Sequence, residues 1–257
     1  MAPYSAQDFY DRLAEDYHLI YADWPASVSR QGNALDTLMR KYLAGAEPLD
    51  VLDCSCGIGT QSIGLAERGH RVVGSDLSPA AAARAAAEAR RRGLALPASA
   101  ADMRALPFAD ASFDVVLSAD NSLAHLLTEE DVGRAVRGMR RVVRDGGLLV
   151  LTAKDYGDAR QTRRQSTVPQ VTDTAAGRVV TFQLWHWHEN GVHDLEHVQL
   201  LPDRDTWRVQ VRRATSRAWT LLELAGLVQQ CGFGDVTWHS VEEAHFFQPV
   251  LTARPMA

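Results

Sequence analysis

Residues 51–60, V51-L-D-C-S-C-G-I-G-T60, decide the fold. The apolar residues at the start of this segment are followed by the acidic residue Asp53, and Gly57 and Gly59 come shortly after it. Glycine lets a backbone turn sharply and approach a ligand. Residues 48–53 have the pattern of a buried strand and residues 60–67 that of a helix. Ligands of α/β sheets bind beyond the carboxyl ends of the strands, so the segment predicts a site for a metal, a phosphate or a nucleotide-like cofactor.

Strand and helix patterns alternate through the following hundred or so residues. This alternation predicts βαβ units with right-handed crossovers around a parallel sheet. Further strands are predicted at 70–76, 113–119 and 147–153, and further helices at 78–93 and 129–143.

The remaining segments predict two additions to this domain. Helical spacing over 5–22 and 28–44 predicts an N-terminal helical cap, residues 1–45. Strand patterns dominate from 158 to 217, without a helical window, and predict an inserted antiparallel β lid. The cofactor-binding domain then comprises residues 46–157 and 218–257, the second part carrying a helix at 220–232 and strands at 235–240 and 246–253.

Composition limits the partners. The chain has 257 residues, a net charge of −5 and 46% hydrophobic residues, which suits a protein with a sizeable core and no nucleic-acid partner. No apolar run is long enough to span a membrane. Only three cysteines and no leader pattern at the start predict a cytoplasmic location. A homo-oligomer is compatible with these features.

The choice of ligand rests on charge and spacing. Cys54 and Cys56 are one residue closer than the usual zinc-binding pair, and no second pair follows. A dinucleotide is disfavoured because Asp53 would repel a pyrophosphate. S-adenosylmethionine carries an ammonium and a sulfonium and no phosphate, so Asp53 can orient its amine while Asp76 takes the ribose hydroxyls. Asp102 can accept from the adenine amino group.

These segments resemble the class I S-adenosylmethionine-dependent methyltransferases. The resemblance is carried by the 53–59 motif, Asp76, Asp102, P107-F-x-D-x-S-F-D114 and R144-D-G-G-L-L-V150. It implies a Rossmann-like doubly wound sheet, mostly parallel with an antiparallel last strand, and S-adenosyl-L-methionine as cofactor.

The outer segments resemble the glycine/sarcosine N-methyltransferase branch, through residues 9–24 with Arg30, A119-D-N-S-L-A-H-L126 and A153-K-D-Y156. That resemblance implies acceptor contacts by Tyr21, Asn121, Lys154 and Tyr156, and it makes Asp120, Asn121 and His125 the candidate catalytic residues. Cofactor contacts are implied for Tyr17, Trp24, Arg30, Asp53, Cys54, Gly57, Gly59, Asp76, Leu77, Asp102, Met103, Ala119 and His125.

Two departures from that branch concern the acceptor. Asp120 replaces a glycine and Lys154 replaces an arginine. An acid beside the methyl donor favours a cationic or amine-rich acceptor, and lysine offers a point charge where arginine offers a bidentate fork. The sequence therefore predicts N-methylation of a small amine. The alternatives are O-methylation, with His125 or a lid histidine as base, a non-catalytic cofactor-binding protein, and an NAD enzyme.

Four histidines of the lid form a separate group. A two-residue turn at Asn190-Gly191 would pair His188 with His193 and place His186 and His197 on the same strand face. A metal site, an acceptor-facing surface and a solvent-exposed face are all compatible with this pattern.

Overall fold

A computed structural model describes residues 3–45, 48–175 and 177–256. The helices are α1 (Ala6–Leu13), α2 (Trp24–Tyr42), α3 (Thr60–Ala66), α4 (Pro79–Arg91), α5 (Glu129–Val142), α6 (Gly157–Thr162), α7 (Leu221–Gln230) and α8 (Val241–Ala244). The strands are β1 (Asp50–Asp53), β2 (Arg71–Asp76), β3 (Ala98–Ala100), β4 (Phe113–Ser118), β5 (Val143–Thr152), β6 (Gln170–Thr174), β7 (Gly177–Trp187), β8 (Val192–Asp203), β9 (Thr206–Arg217), β10 (Phe233–His239) and β11 (Val250–Pro255). Short 3-10 segments lie at Tyr17–Ile20, Met103–Ala105, Ser122–His125 and Glu189–Gly191.

The main sheet has seven strands in the order β3-β2-β1-β4-β5-β11-β10. The strands β1 to β5 pair in parallel, and β11 is antiparallel to both of its neighbours. The predicted doubly wound fold with an antiparallel last strand is therefore confirmed. This topology brings Asp53, Asp76 and Ser118, the last residues of β1, β2 and β4, to one edge of the sheet.

Both faces of the sheet are buried, which explains the continuous apolar strands. Neighbouring residues of β1 point to opposite sides, so Val51 packs in one core cluster and Leu52 in the other. Helix α4 begins where its sequence predicts, because the Ser78 side chain accepts from the Ala81 N–H and proline follows at the first helical position.

The N-terminal segment packs on the main domain chiefly where α2 meets α3. Gly32 of α2 and Gly64 of α3 meet backbone to backbone, since a β-carbon on Gly32 would lie 2.5 Å from the Gly64 carbonyl carbon. A side chain at either position would force the two helices apart.

The second sheet, called the lid sheet here, consists of β6, β7, β8 and β9 in antiparallel order. The region also contains α6, which the sequence did not predict. The predicted register of the β7–β8 hairpin is wrong by one residue. His193 pairs with Trp187, and the His188 N–H bonds the Val192 carbonyl, because the loop is the three-residue segment Glu189–Gly191.

The shift in register separates the four histidines, since a one-residue slip moves side chains to the other face. His193 and His197 are buried, whereas His186 and His188 are exposed on the opposite face. Within the described ranges, no group of three or more histidine, cysteine or acidic residues is placed to hold a metal ion. The same part of the chain contains no helix that is long and apolar enough to cross a membrane.

Candidate active site

Two adjoining cavities lie at the carboxyl edge of the main sheet. The strand-end cavity, of about 620 Å³, is bounded by the segments after β1 and β2, the 102–104 segment and the start of the chain. The lid cavity, of about 720 Å³, lies between the N-terminal helices and the lid sheet. Both volumes are in the range of small-molecule sites. The two cavities share Tyr10, Tyr17, Tyr21, Asp120 and His125.

Asp76 and Gly57 define the floor of the strand-end cavity. The Asp76 carboxylate accepts from the Gly57 N–H at 2.8 Å and from the Ser78 N–H at 2.9 Å. Burial raises the pKa of Asp76 above its ordinary value. Gly57 has a φ of +51°, and a β-carbon there would lie 3.3 Å from the Tyr17 ring. The bare backbone thus keeps open a narrow channel beside an oriented carboxylate, as a ribose-bearing ligand requires.

Asp102 lies farther along the same cavity and is held by a residue that the sequence did not single out. The Arg104 guanidinium contacts both Asp102 oxygens at 2.6 to 3.0 Å and reaches Asp131 at 3.1 Å. The Arg104 side chain and backbone lower the pKa of Asp102 despite its partial burial. A fixed, ionised carboxylate at this position suits recognition of an exocyclic amine.

Asp53 is fully buried and does not line either cavity. Its carboxylate accepts from the Ser62 hydroxyl at 2.6 Å and from the Ser55 N–H at 3.3 Å. Burial raises its pKa to about 7. The structure therefore places Asp53 outside the lining of both cavities, where its contacts with Ser55 and Ser62 fix the turn after β1.

Trp24, like Asp53, was predicted to contact the cofactor but lines neither cavity. It is buried beneath the Arg84 and Arg92 guanidinium groups, and its indole N–H donates to the Thr60 hydroxyl at 2.9 Å. Arg30 lines the lid cavity instead of the strand-end cavity and donates to the Ser27 hydroxyl at 3.0 Å.

Of the other residues expected to contact the cofactor, some line the strand-end cavity and some line neither cavity. Cys54, Leu77 and Met103 line the strand-end cavity. Gly59 caps α3 with a φ of +90°, and its β-carbon would lie 3.0 Å from Ile63, so this glycine serves the turn. Ala119 is buried and lines neither cavity.

Asp120 lies where the two cavities meet. Its carboxylate accepts from the Tyr21 hydroxyl at 3.2 Å and from the Gln248 amide at 3.4 Å. Burial raises its pKa, and Lys154, Tyr21 and Gln248 each counteract that rise. Gln248 belongs to the segment before β11 and carries no motif that sequence reasoning could have detected.

Asn121 uses its side chain to hold Lys154 and Tyr156. Its carbonyl oxygen accepts from the Lys154 N–H at 3.0 Å, and its amide donates to the Tyr156 hydroxyl at 2.8 Å. Asp120 and Asn121 both have positive φ, at 55° and 65°, so a strained turn aims the two side chains. The Lys154 ammonium lines the lid cavity and has no hydrogen bond or ion pair with the residues that the structure describes.

His125 connects the two cavities to the lid sheet. Its Nε2 lies 2.9 Å from the Tyr10 hydroxyl and its Nδ1 lies 3.3 Å from the Ser216 hydroxyl. Burial lowers its pKa to about 4, so the imidazole is neutral at pH 7. Lid residue His197 also lines the lid cavity, whereas His193 lies between Tyr156 and Trp187.

Comparisons with known proteins agree with this geometry. A family model described as a methyltransferase domain matches residues 51–147. The glycine/sarcosine N-methyltransferase of Parasynechococcus marenigrum (strain WH8102) is 34% identical over 151 residues, or 58% of this chain and 50% of that protein. The malonyl-(acyl-carrier protein) O-methyltransferase of Pseudescherichia vulneris is 33% identical over 150 residues, or 58% and 53%. The chain thus spans about half the length of these curated relatives.

Residues 51–147 therefore form a methyltransferase domain, built on a seven-stranded sheet of the class I methyltransferase fold. The solved structure of CalS10 from Micromonospora echinaspora, an amino pentose methyltransferase with bound S-adenosylmethionine, has the same fold. It matches with a TM-score of 0.70 and 21% identity over 89% of this chain and 92% of that chain. The carboxylates and open backbone of the strand-end cavity are compatible with the S-adenosylmethionine that CalS10 binds.

Proposed function

We propose that the protein transfers a methyl group from S-adenosylmethionine to the nitrogen of a small amine-containing molecule. The cofactor would occupy the strand-end cavity, held by Asp76, Asp102 and the backbone at Gly57. The acceptor would occupy the lid cavity. The cofactor supplies an electrophilic methyl carbon on its sulfonium, and the protein's part is to align the acceptor with it and to exclude water.

The proposal depends mainly on the position of Asp120 between the two cavities. Its carboxylate borders both cavities, so a group bound to it lies next to the cofactor-binding space. A buried carboxylate with remaining acceptor capacity favours a ligand that donates N–H bonds and bears positive charge. The lid cavity, at about 720 Å³, has room for an amine considerably larger than glycine.

The state of His125 supports nitrogen over oxygen as the acceptor atom. A hydroxyl acceptor needs a base whose pKa lies near the working pH. His125 lines both cavities, and burial lowers its pKa to about 4, which makes it a weak base. An amine acceptor reacts through the lone pair of its neutral form. The proton that a bound ammonium must first lose can pass to water, so no tuned base is required. The O-methyltransferase relative keeps O-methylation as the second candidate.

Incubation with methyl-labelled S-adenosylmethionine and matched amine and alcohol acceptors tests the proposal. We expect label on amines, and a loss of at least about tenfold in kcat/KM for Asp120→Asn, which keeps shape and removes charge. Asp110→Asn, at an exposed position outside both cavities, is the matched control. Label on alcohols alone would favour O-methylation, and cofactor binding without any transfer would favour a non-catalytic binding protein.

A further inference from the structure

Asp120 is the end point of two directed chains of hydrogen bonds. The first runs from the Trp24 indole N–H to the Thr60 hydroxyl at 2.9 Å, from Thr60 to the Tyr21 hydroxyl at 3.4 Å, and from Tyr21 to the carboxylate. An indole N–H can only donate, so it sets the direction of this chain. Tyr21 consequently presents its proton to Asp120.

The second chain starts from the backbone N–H of Asp120, which donates to the Thr152 hydroxyl at 2.8 Å. Thr152 donates in turn to the Gln248 carbonyl oxygen at 3.1 Å. With that oxygen engaged, the NH₂ group of Gln248 faces Asp120. Tyr21 and Gln248 therefore both donate to the carboxylate. Each is oriented by a chain that starts from an N–H group, which can only donate.

We propose that Tyr21 and Gln248 are positioning residues that hold Asp120 as an ionised, acceptor-only carboxylate, so that the site selects acceptors presenting a cationic or N–H-bearing head group. This inference rests on the proposed function and assigns a role to Gln248, which no motif indicates. A protonated Asp120 would face two donors and lack an acceptor for its own proton. The chains thereby oppose the effect of burial, which favours the protonated form.

The charged and titratable groups around Asp120 come from several elements. Lys154 follows β5 and its positive charge favours the ionised carboxylate. The His125 imidazole, in the segment after β4, is neutral above about pH 4. The tyrosines of the N-terminal segment have pKa values raised above 10 by burial and stay neutral through the physiological range. Asp120 is therefore the group among these whose charge the positioning residues control.

Binding of benzyltrimethylammonium to protein saturated with S-adenosylhomocysteine tests this inference. The charge of this probe is independent of pH, so the pH dependence of its affinity, measured by calorimetry from pH 5 to 9, reports the charge on the protein. We expect Asp120→Asn to weaken binding about tenfold or more. The titration midpoint is the pH at which protonation of Asp120 has removed half of the probe affinity. In Tyr21→Phe and Gln248→Leu we expect this midpoint to rise by about one to two pH units, the effect of losing one hydrogen bond to a charged group.

Gln248→Glu keeps the shape of the side chain and places a second carboxylate beside Asp120. We expect its midpoint to rise further than that of Gln248→Leu, because two neighbouring carboxylates share a proton. Gln170→Leu, in the lid cavity but without contact to Asp120, is the matched control and should keep the wild-type midpoint. Retained affinity for S-adenosylhomocysteine shows that each variant is folded.

The inference is overturned if Asp120→Asn binds the probe as tightly as wild type. It is equally overturned if Tyr21→Phe, Gln248→Leu and Gln248→Glu all keep the wild-type midpoint. Because the probe accepts no methyl group, these outcomes are independent of turnover. Labelling of alcohols alone would reject the proposed function while leaving the binding result intact.

Discussion

Gly32 and Gly64 bring two helices into backbone contact, and a β-carbon on Gly64 would lie 2.4 Å from the Val28 carbonyl oxygen. We expect Gly64→Ala to lower the free energy of unfolding by about 1–3 kcal/mol or more, because neither backbone can yield locally. Gly226→Ala is the matched control. Gly226 lies inside α7 with nothing within 4 Å of its β-carbon, so that change should stabilise by about 0.5–1 kcal/mol. Denaturant unfolding of both variants measures the contrast, and equal effects would contradict the close approach.

Asp76 supplies the second prediction. Asp76→Asn keeps the size of the side chain but puts an NH₂ group where a carboxylate oxygen would accept from a ribose hydroxyl. We expect the affinity for S-adenosylhomocysteine to fall about 10- to 100-fold, the effect of one or two charge-assisted hydrogen bonds. Calorimetric titration measures it, with exposed Asp145 changed to asparagine as the control. Unchanged affinity would show that the ligand lies elsewhere.

Asp53 supplies a prediction about stability. Its pKa is raised to about 7 in the native state, mainly by burial, from an ordinary value near 4 when unfolded. A raised folded pKa means that the contribution is complete below about pH 4 and is lost as the pH rises to about 7. Between pH 5 and 8 we expect wild type to lose about 1–3 kcal/mol relative to Asp53→Asn. Chemical denaturation at several pH values tests this, and parallel curves would contradict it.

For His193 we predict that the free energy of unfolding depends on pH in the opposite direction. The ring is fully buried, and burial lowers its pKa to about 4. Its contribution to stability is complete above about pH 6.5 and is lost as the pH falls towards 4. We expect wild type to lose about 2 kcal/mol more than His193→Leu between pH 8 and 5. His188→Leu changes an exposed ring and is the control; the prediction fails if the two variants respond alike.

Much of the architecture followed from local pattern. Strands β1 and β4 and the second half of β5 are almost entirely buried, so each appears as an apolar run and the β/α alternation is visible. Strand β3 gave no periodic signal because Ala98–Ala100 is only three residues long and mostly exposed. The register of the β7–β8 hairpin was predicted wrongly because the Asn190-Gly191 pair indicates a turn but does not show that Glu189 also belongs to the loop.

Part of the site could not be predicted because its contacts join distant positions. Gln248 lies 96 residues from Thr152 and 128 residues from Asp120, and no spacing rule connects them. Arg104 is two residues from Asp102, but its salt bridge to Asp131 depends on how α5 packs. The position of Trp24 behind Thr60 likewise depends on the packing of α2, which local pattern does not reveal.

The tyrosines and Asp120 that divide the strand-end cavity from the lid cavity belong to both. If the cofactor and the acceptor occupy these two cavities as proposed, both molecules border the same side chains. Thermodynamic linkage requires that each ligand change the affinity of the other by the same factor. A partition of this kind makes donor and acceptor recognition inseparable, so a substitution that retunes one substrate will also be felt by the other.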